Sequence, residues 1–345
     1  MDVRTRSPGD AMNAEPAAKL AFLRASSAFD GVREVVETHM SWVFLTDRHA
    51  FKLKKPVRLP YVDYRTIERR RQSCENELRL GRRIAPNVYE AVMPLVEGPK
   101  GLAIGRDGVI IDWLIVMRRL PTDRMLPAML ARHEATAADA EALGDLLAGF
   151  YRVARRARWD GDEYRRRLRE LVVTVGGELV ERGALRTTVG SIVRAVLAGI
   201  ATEARALDAR IDEGRVIDAH GDLRPEHVCL ETPPVVIDPL EFDDDLRTLD
   251  AASELAFFAL ECERLDASWF ADHVLGRYAE QSGDPMPAPL VALYRGQHAL
   301  TRALIALRRV DDASPADRPR WRAKADDYFA RALPAPIPPH AAAHT

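Results

Sequence analysis

Residues 220–238, His-Gly-Asp-Leu-Arg-Pro-Glu-His-Val-Cys-Leu-Glu-Thr-Pro-Pro-Val-Val-Ile-Asp, carry the densest set of reactive side chains in the chain. Asp222 offers a carboxylate base, Arg224 a cation, and His227 and Asp238 two side chains able to ligate a metal. Such a set suits phosphoryl transfer, where catalysis is mostly positioning and neutralisation of charge on oxygen. Val228-Cys229-Leu230 and Val235-Val236-Ile237 read as strands, and Thr232-Pro233-Pro234 between them reads as a turn. A hairpin closing at Thr232-Pro233 pairs Val228 with Ile237 and sets His227 opposite Asp238, about 5 Å apart at Cα. Asp222 falls in the loop just before. One ion could then touch both ends of the hairpin while Asp222 addresses an acceptor hydroxyl.

The run His220-Gly221-Asp222-Leu223-Arg224-Pro225-Glu226-His227 resembles the catalytic loop of aminoglycoside phosphotransferases and their protein-kinase-like relatives, and Val235-Val236-Ile237-Asp238 resembles their metal-binding strand end. The resemblance implies that Asp222 orients or deprotonates the acceptor and that Asp238 holds magnesium on the nucleotide phosphates. Arg224 falls where protein kinases carry a lysine near the transferred phosphate; a γ-phosphate contact and a structural salt bridge to Glu226 or a nearby acid both remain open. The sequence departs from the family at His227, where asparagine is usual. Imidazole nitrogen suits manganese better than magnesium. His227 therefore has three readings: a metal ligand, a phosphate contact, or the mark of a degraded site.

Such a fold also needs a lysine on an early strand and a glutamate on the next helix. Residues 42–54 read as two strands joined at Asp47-Arg48, with Phe51 and Leu53 on one face and Lys52 and Lys54 on the other. Lys52 resembles the family lysine on the α/β-phosphates, whereas Lys54 and Lys55 read as exposed. The run Glu77 to Ala85, on a helix expected over Asp63 to Arg83, resembles the glutamate-bearing helix, so Glu77 is the expected partner of Lys52 and Glu75 the fallback. The turn His39-Met40-Ser41 lacks the glycines of a phosphate-covering loop. Thr38 and Ser41 could donate hydroxyls to phosphate there, or close an ordinary turn. Arg118-Arg119-Leu120-Pro121 fits a hinge, which makes Met117 to Leu120 the implied adenine contacts. His220 is expected to brace the loop backbone. Asp250 either braces the catalytic loop, as the family implies, or caps a helix. Glu241, Asp243, Asp244 and Asp245 read as an exposed acidic loop.

Strands are expected at 32–38, 42–47, 88–95 and 109–120, and helices near 136–157, 161–182, 186–212, 248–264, 266–281, 287–310 and 316–332. The element pattern gives an α+β class, and the resemblance implies a protein-kinase-like two-lobed fold with a small mixed β-sheet N-lobe and a mainly helical C-lobe. Residues 1–30 form an extension with a short helix from Pro16, 31–120 the N-lobe, 121–333 the C-lobe with the 216–238 hairpin, and 334–345 a disordered Pro/Ala tail.

Fifty basic and fifty-two acidic residues among 345 leave a net charge of −2, which gives no global pull toward nucleic acid or membrane. Arginine is concentrated in 65–83 and 152–169, as solvated helix faces or as a surface for an anionic partner or phosphorylated substrate. Three distant cysteines argue against disulfides or zinc, and no signal-like or membrane-spanning run is present, so a cytoplasmic location is expected. The chain has no GxxxxGK[ST] loop. Thr38-His39-Met40-Ser41 and Lys54-Lys55-Pro56 make it most similar to an uncharacterised bacterial branch of the family. The expectation is an ATP-dependent phosphotransferase, using Mg2+ with Mn2+ as the alternative, that acts on a hydroxyl of a small molecule. A polycationic aminoglycoside would want an acidic cleft, which these mixed helices do not offer. The alternative is a nucleotide-sensing or scaffolding pseudokinase that lost turnover at His227; a metal-dependent hydrolase would leave Lys52 and Glu77 unexplained.

Overall fold

The computed structural model describes residues 16–25, 31–59, 61–105 and 107–333. The expected extension before Pro16, the first helix beyond Ala25 and the tail from 334 lie outside the described residues. Along the chain come α1 (Pro16–Ala25), β1 (Glu34–Glu37), β2 (Ser41–Leu45), β3 (His49–Lys54), β4 (Arg58–Leu59), β5 (Val62–Asp63), α2 (Ile67–Ile84), β6 (Tyr89–Gly98), β7 (Gly101–Ile104) and β8 (Val109–Arg118). Then follow α3 (Leu126–Ala131), α4 (Ala137–Val153), α5 (Gly161–Glu181), α6 (Arg186–Thr202), α7 (Ala204–Asp212), β9 (Val216–Asp218), β10 (Val228–Cys229), β11 (Val235–Val236), α8 (Asp244–Arg247), β12 (Thr248–Asp250), α9 (Ala251–Glu263), α10 (Ser268–Ser282), α11 (Ala288–Asp312) and α12 (Arg318–Arg331). The described residues form two compact units. One runs to Arg132 and adds Glu226–Asp244; the other takes His133–Pro225 and the chain from Asp245 onward.

The first unit is built on a six-stranded antiparallel sheet in the order β1-β2-β3-β8-β6-β7. Strand alternation sorts β3 into two faces. Phe51 and Leu53 join Phe44, Leu95, Ile111, Leu114, Val116 and Leu23 of α1 in one apolar cluster. Ala50 joins a second cluster with Cys74 of α2, Tyr89, Ile115, Met117, Cys229 and Val235. Helix α2 starts later than its periodicity suggests. Asp63 belongs to the short β4–β5 hairpin, and Thr66 caps the helix by accepting from the Arg69 amide. Buried ions hold the α1 side of the sheet: Asp112 accepts from Lys19 Nζ and Arg70 Nε, both at 2.7 Å.

The second unit is mainly helical, with one two-stranded ribbon in which β9 pairs antiparallel with β12. Two expectations change here. The helix expected over 186–212 is two helices that meet at Glu203. Residues 248–250, expected to open a helix, form β12, and the Asp250 carboxylate then caps α9 by accepting from the Ala252 amide at 2.9 Å. Thr248, which is β-branched, and Leu249 satisfy a strand as well as a helix, so periodicity alone could not separate the two.

Helix α2 lies so close to β6 that a Cβ on Gly81 would sit 2.3 Å from Tyr89 Cε2. Tyr89 is 1% exposed, so its ring has little room to yield. Gly81→Ala is expected to lower stability by about 1–3 kcal/mol despite its better helix propensity. Chemical unfolding monitored by far-UV circular dichroism checks this; an equal or more stable variant contradicts the packing described.

Candidate active site

The first unit gathers Lys52, Glu77, Asp238 and His227. Lys52, on central strand β3, is 9% exposed. Its ammonium donates to Glu77 Oε1 at 2.7 Å and to Asp238 Oδ1 at 2.5 Å. Glu77, on α2, is fully buried, and its second oxygen accepts from Lys54 Nζ at 2.7 Å. Lys54 in turn donates to Glu241 Oε1 at 2.5 Å. Asp238, Lys52, Glu77, Lys54 and Glu241 thus form an unbroken row of alternating sign. The fallback partner Glu75 is instead half-exposed and paired with Arg71 at 2.9 Å.

Two members of this row correct the sequence reading. Lys54, expected to be exposed, is 2% exposed, and Glu241, expected in a solvated acidic loop, is 6% exposed. Strand parity had put Lys54 on the face of Lys52; what parity cannot say is how deep that face lies. Glu241 Oε1 also accepts from Tyr64 Oη at 2.7 Å and Ser73 Oγ at 3.0 Å. Asp244 and Asp245 are exposed, as expected of that loop.

Burial disfavours each of these charges, and the neighbours decide the outcome. For Lys52, burial pushes the pKa down, but Asp238 and Glu77 outweigh it and hold the ammonium above its ordinary value. Partial desolvation pushes Asp238 up, while Lys52 and His227 pull its carboxyl well below the usual carboxylate range. Glu241 is also held low, by Lys54 and Lys52 against burial. The Cys74 thiol beside the row, by contrast, is pushed up to about 12 by burial, which leaves it inert.

The hairpin carrying His227 and Asp238 forms, one residue out of the expected register. Val228 pairs with Val236 and Cys229 with Val235, and the Ile237 amide donates to His227 O at 2.9 Å. Pro233 and Pro234 have no N–H to give a tighter ladder, so the loop widens to Leu230–Pro234. His227 Nε2 still comes within 3.5 Å of Asp238 Oδ2. Asp238 adopts φ 62°, in the left-handed region that aspartate tolerates better than most residues, and its amide donates to Tyr89 Oη at 2.8 Å. Its side chain is 43% exposed, so the carboxylate presents an open face.

The remaining nucleotide-side candidates fall nearby or close on themselves. Met117 is buried on β8, with its main chain in register with both Ala50 and Tyr89. Leu120 lies past the end of β8 and packs on the apolar cluster that includes Met117 and Val235. Thr38 and Ser41 close the β1–β2 turn on each other: Thr38 Oγ1 donates to Ser41 O and accepts from the Ser41 amide, both at 3.0 Å. The ordinary-turn alternative describes this geometry.

The second unit holds the Asp222 loop. Asp222 Oδ2 accepts from Arg224 Nε at 3.0 Å, and Arg224 Nη2 lies 2.9 Å away. The acid beside Arg224 is thus Asp222 itself; Glu226 is exposed. His220 Nδ1 accepts from the Asp222 amide at 3.3 Å, so this histidine does brace the loop. The carboxylate on the loop amides is Glu254, which accepts from His220 N at 3.1 Å and Gly221 N at 2.5 Å and from Tyr151 Oη at 2.7 Å. Gly221 sits at φ 86°, which permits the turn. Asp250, the residue the resemblance suggested for bracing, caps α9 and pairs with Arg210 at 2.5 Å. Glu254 was missed although a signal existed: it is a carboxylate inside Ala-Ala-Ser-Glu-Leu-Ala-Phe-Phe-Ala-Leu, where burial demands a partner.

Residues 51–286 match the model of the phosphotransferase enzyme family. Uncharacterized proteins of Mycobacterium tuberculosis and Mycobacterium bovis are 30% identical over 292 residues, which cover 82% of this chain and 56% of theirs. The chain therefore spans little more than half the length of these curated relatives. Among solved structures, a choline/ethanolamine kinase family protein from Mesorhizobium loti aligns over 90% of this chain and 91% of its own at 16% identity, with a TM-score of 0.54. The GDP complex of aminoglycoside 2'-phosphotransferase-IIIa aligns over 92% and 98% at 11% identity, with a TM-score of 0.53. The fold is that of these kinase-like proteins.

The charge row makes a pH-dependent prediction. A carboxyl whose folded pKa is depressed contributes stability that is complete above its unfolded value and is lost as pH falls through the folded one. Glu241→Gln leaves Lys54 one anion short and is expected to cost about 3 kcal/mol at pH 7. The deficit relative to wild type should shrink as pH drops below the ordinary glutamate value of 4.5. Urea unfolding of both proteins across pH 3–8 measures it; a deficit independent of pH contradicts the charged row.

Proposed function

We propose that this chain, which belongs to the phosphotransferase enzyme family, moves the γ-phosphoryl group of ATP to a hydroxyl of a small molecule. The observation that carries the reading is the placement of one buried ammonium, Lys52, between Glu77 at 2.7 Å and Asp238 at 2.5 Å. Burying a strand lysine requires this degree of compensation, and Lys52 is the buried lysine of the row that also meets the partly exposed Asp238 carboxylate. In the reading, Lys52 positions the α/β-phosphates and Glu77 fixes Lys52. The apolar cluster bearing Leu120 receives the base, with Leu120 rather than Met117 free of strand pairing.

The residues present fit a divalent cation held chiefly by the nucleotide. Among the described residues no three His, Cys, Asp or Glu side chains cluster as a metal site. Asp238 instead offers an open carboxylate with His227 Nε2 beside it at 3.5 Å. Magnesium is commonly held by one or two carboxylates with phosphate oxygens completing its shell, and the imidazole would shift the site toward manganese. The ion would neutralise charge on the transferred group. Asp222 would orient the acceptor hydroxyl and accept its proton, and Arg224 beside it would supply positive charge to the phosphoryl oxygens.

Release of ADP from ATP with Mg2+ or Mn2+, followed across a metabolite library, tests the reading. Asp222→Ala should lower kcat by about 10²–10⁴-fold with little change in nucleotide affinity, and Lys52→Met should weaken nucleotide binding itself. Nucleotide binding without turnover in the wild-type protein would instead favour a nucleotide-sensing module. His227→Asn should move the metal preference from Mn2+ toward Mg2+; an unchanged Mn2+/Mg2+ activity ratio would remove His227 from the metal shell.

A further inference from the structure

In the second unit, the proposed catalytic carboxylate lies among more cations than it needs. Arg224 already meets Asp222 Oδ2 at 2.9 and 3.0 Å. A second guanidinium, Arg302 of α11, sets Nη1 3.7 Å from Asp222 Oδ1, within ion-pair range but beyond a hydrogen bond. Arg302 is only 13% exposed at its side chain, and its Nε is buried without a hydrogen-bond partner. The nearest carboxylate oxygen to that Nε is Glu261 Oε1 at 3.4 Å. Glu261 is itself engaged: Oε1 accepts from Tyr328 Oη at 2.6 Å, and Oε2 accepts from Arg264 Nη1 at 3.0 Å.

Among the described residues the contacts of Arg302 beyond Asp222 and Glu261 add no further carboxylate. Its guanidinium lies over the Phe257 ring at 5.4 Å. His298, one helical turn earlier, stacks on the same ring at 4.9 Å and bonds Ser253 Oγ at 2.9 Å. Burial, then Arg302 itself, lower the His298 pKa to about 4, so the imidazole is neutral at pH 7. An arginine needed only to neutralise Asp222 would be redundant beside Arg224. Nε faces Glu261, whereas Nη1, in ion-pair range of Asp222 but beyond a hydrogen bond to it, is the end of the fork turned toward the carboxylate that would address the acceptor.

We propose that the acceptor carries a carboxylate or phosphate group beside its reactive hydroxyl, and that Arg302 binds that anion and sets acceptor specificity. The inference rests on the phosphotransferase reading and narrows it to a substrate class. Guanidinium forks suit both anions, and cationic acceptors such as amino alcohols or aminocyclitols would be repelled.

The test measures ADP release from ATP and Mg2+ with glycerate, gluconate, glycerol 3-phosphate and glucose 6-phosphate, against glycerol, glucose, choline, ethanolamine and kanamycin. The carboxylates and the phosphates separate the two sources of anion. At least one anionic acceptor should turn over with kcat/KM about ten-fold or more above its uncharged analogue. Arg302→Met should erase that advantage through KM, and Arg302→Lys should keep part of it. Turnover confined to neutral or cationic acceptors, turnover with none of the anionic ones, or an advantage that survives Arg302→Met overturns the proposal. So does an equal fall in kcat for charged and uncharged acceptors, which would make Arg302 a positioning residue for Asp222. Binding of a fluorescent ATP analogue to the wild-type protein is measured in parallel. No binding means that the phosphotransferase reading has failed, whereas binding without anion preference means that only this inference has.

Discussion

Charges that leave water must find opposite charges, and in this protein that rule is applied along a line. Asp238, Lys52, Glu77, Lys54 and Glu241 are joined by ion pairs of 2.5–2.7 Å, with Glu77 fully buried and using one oxygen for each lysine. Removing any interior member strands a charge in a low-dielectric surrounding, a larger loss than the pair itself is worth. The line ties strand β3, helix α2 and the chain after β11 together, so the carboxylate at its open end has a fixed place. Asp238 is the member with the most exposed side chain, and it stands at that open end.

The loop bearing Asp222 is fixed by a different device. Glu254 collects two successive amides, His220 N and Gly221 N, on its two oxygens, and Tyr151 supports it from α4. Backbone amides and a phenol are neutral donors, so these three hydrogen bonds to Glu254 involve no cation. Arg224 and Arg302 both face Asp222 and, in the proposed reaction, the acceptor and the phosphoryl group. The two halves of the chemistry thus rest on different supports, an ionic row in the sheet unit and a carboxylate–amide clasp in the helical unit.

The legible parts of the sequence were those where short-range rules and chemistry coincide. The two-residue period of β3 separated Lys52 from Phe51, and the helix after it supplied Glu77. Family resemblance singled out Asp222 and Asp238. What could not be read depended on depth or on the partner. Lys54 and Glu241 look like ordinary surface charges until the packing of α2 on β3 is known. The hairpin register turned on two prolines that deny the ladder its N–H groups, a one-residue change that sequence patterning does not resolve. Strands as short as β4, β5 and β9 carry too few residues for a period to show. Asp250, open between brace and cap in the sequence, is the cap, and Glu254 four residues on, which the sequence reading missed, holds the loop amides.

The central claim is that the ionic row behaves as a unit, and a double-mutant cycle between two members that do not touch tests it most directly. Glu77→Gln, Glu241→Gln and the double variant are compared by unfolding free energy at pH 7. The two carboxylates share Lys54 as an ion-pair partner, so the account predicts a coupling of about 1 kcal/mol or more. Additive effects within about 0.5 kcal/mol would mean that the pairs act separately, and would contradict it.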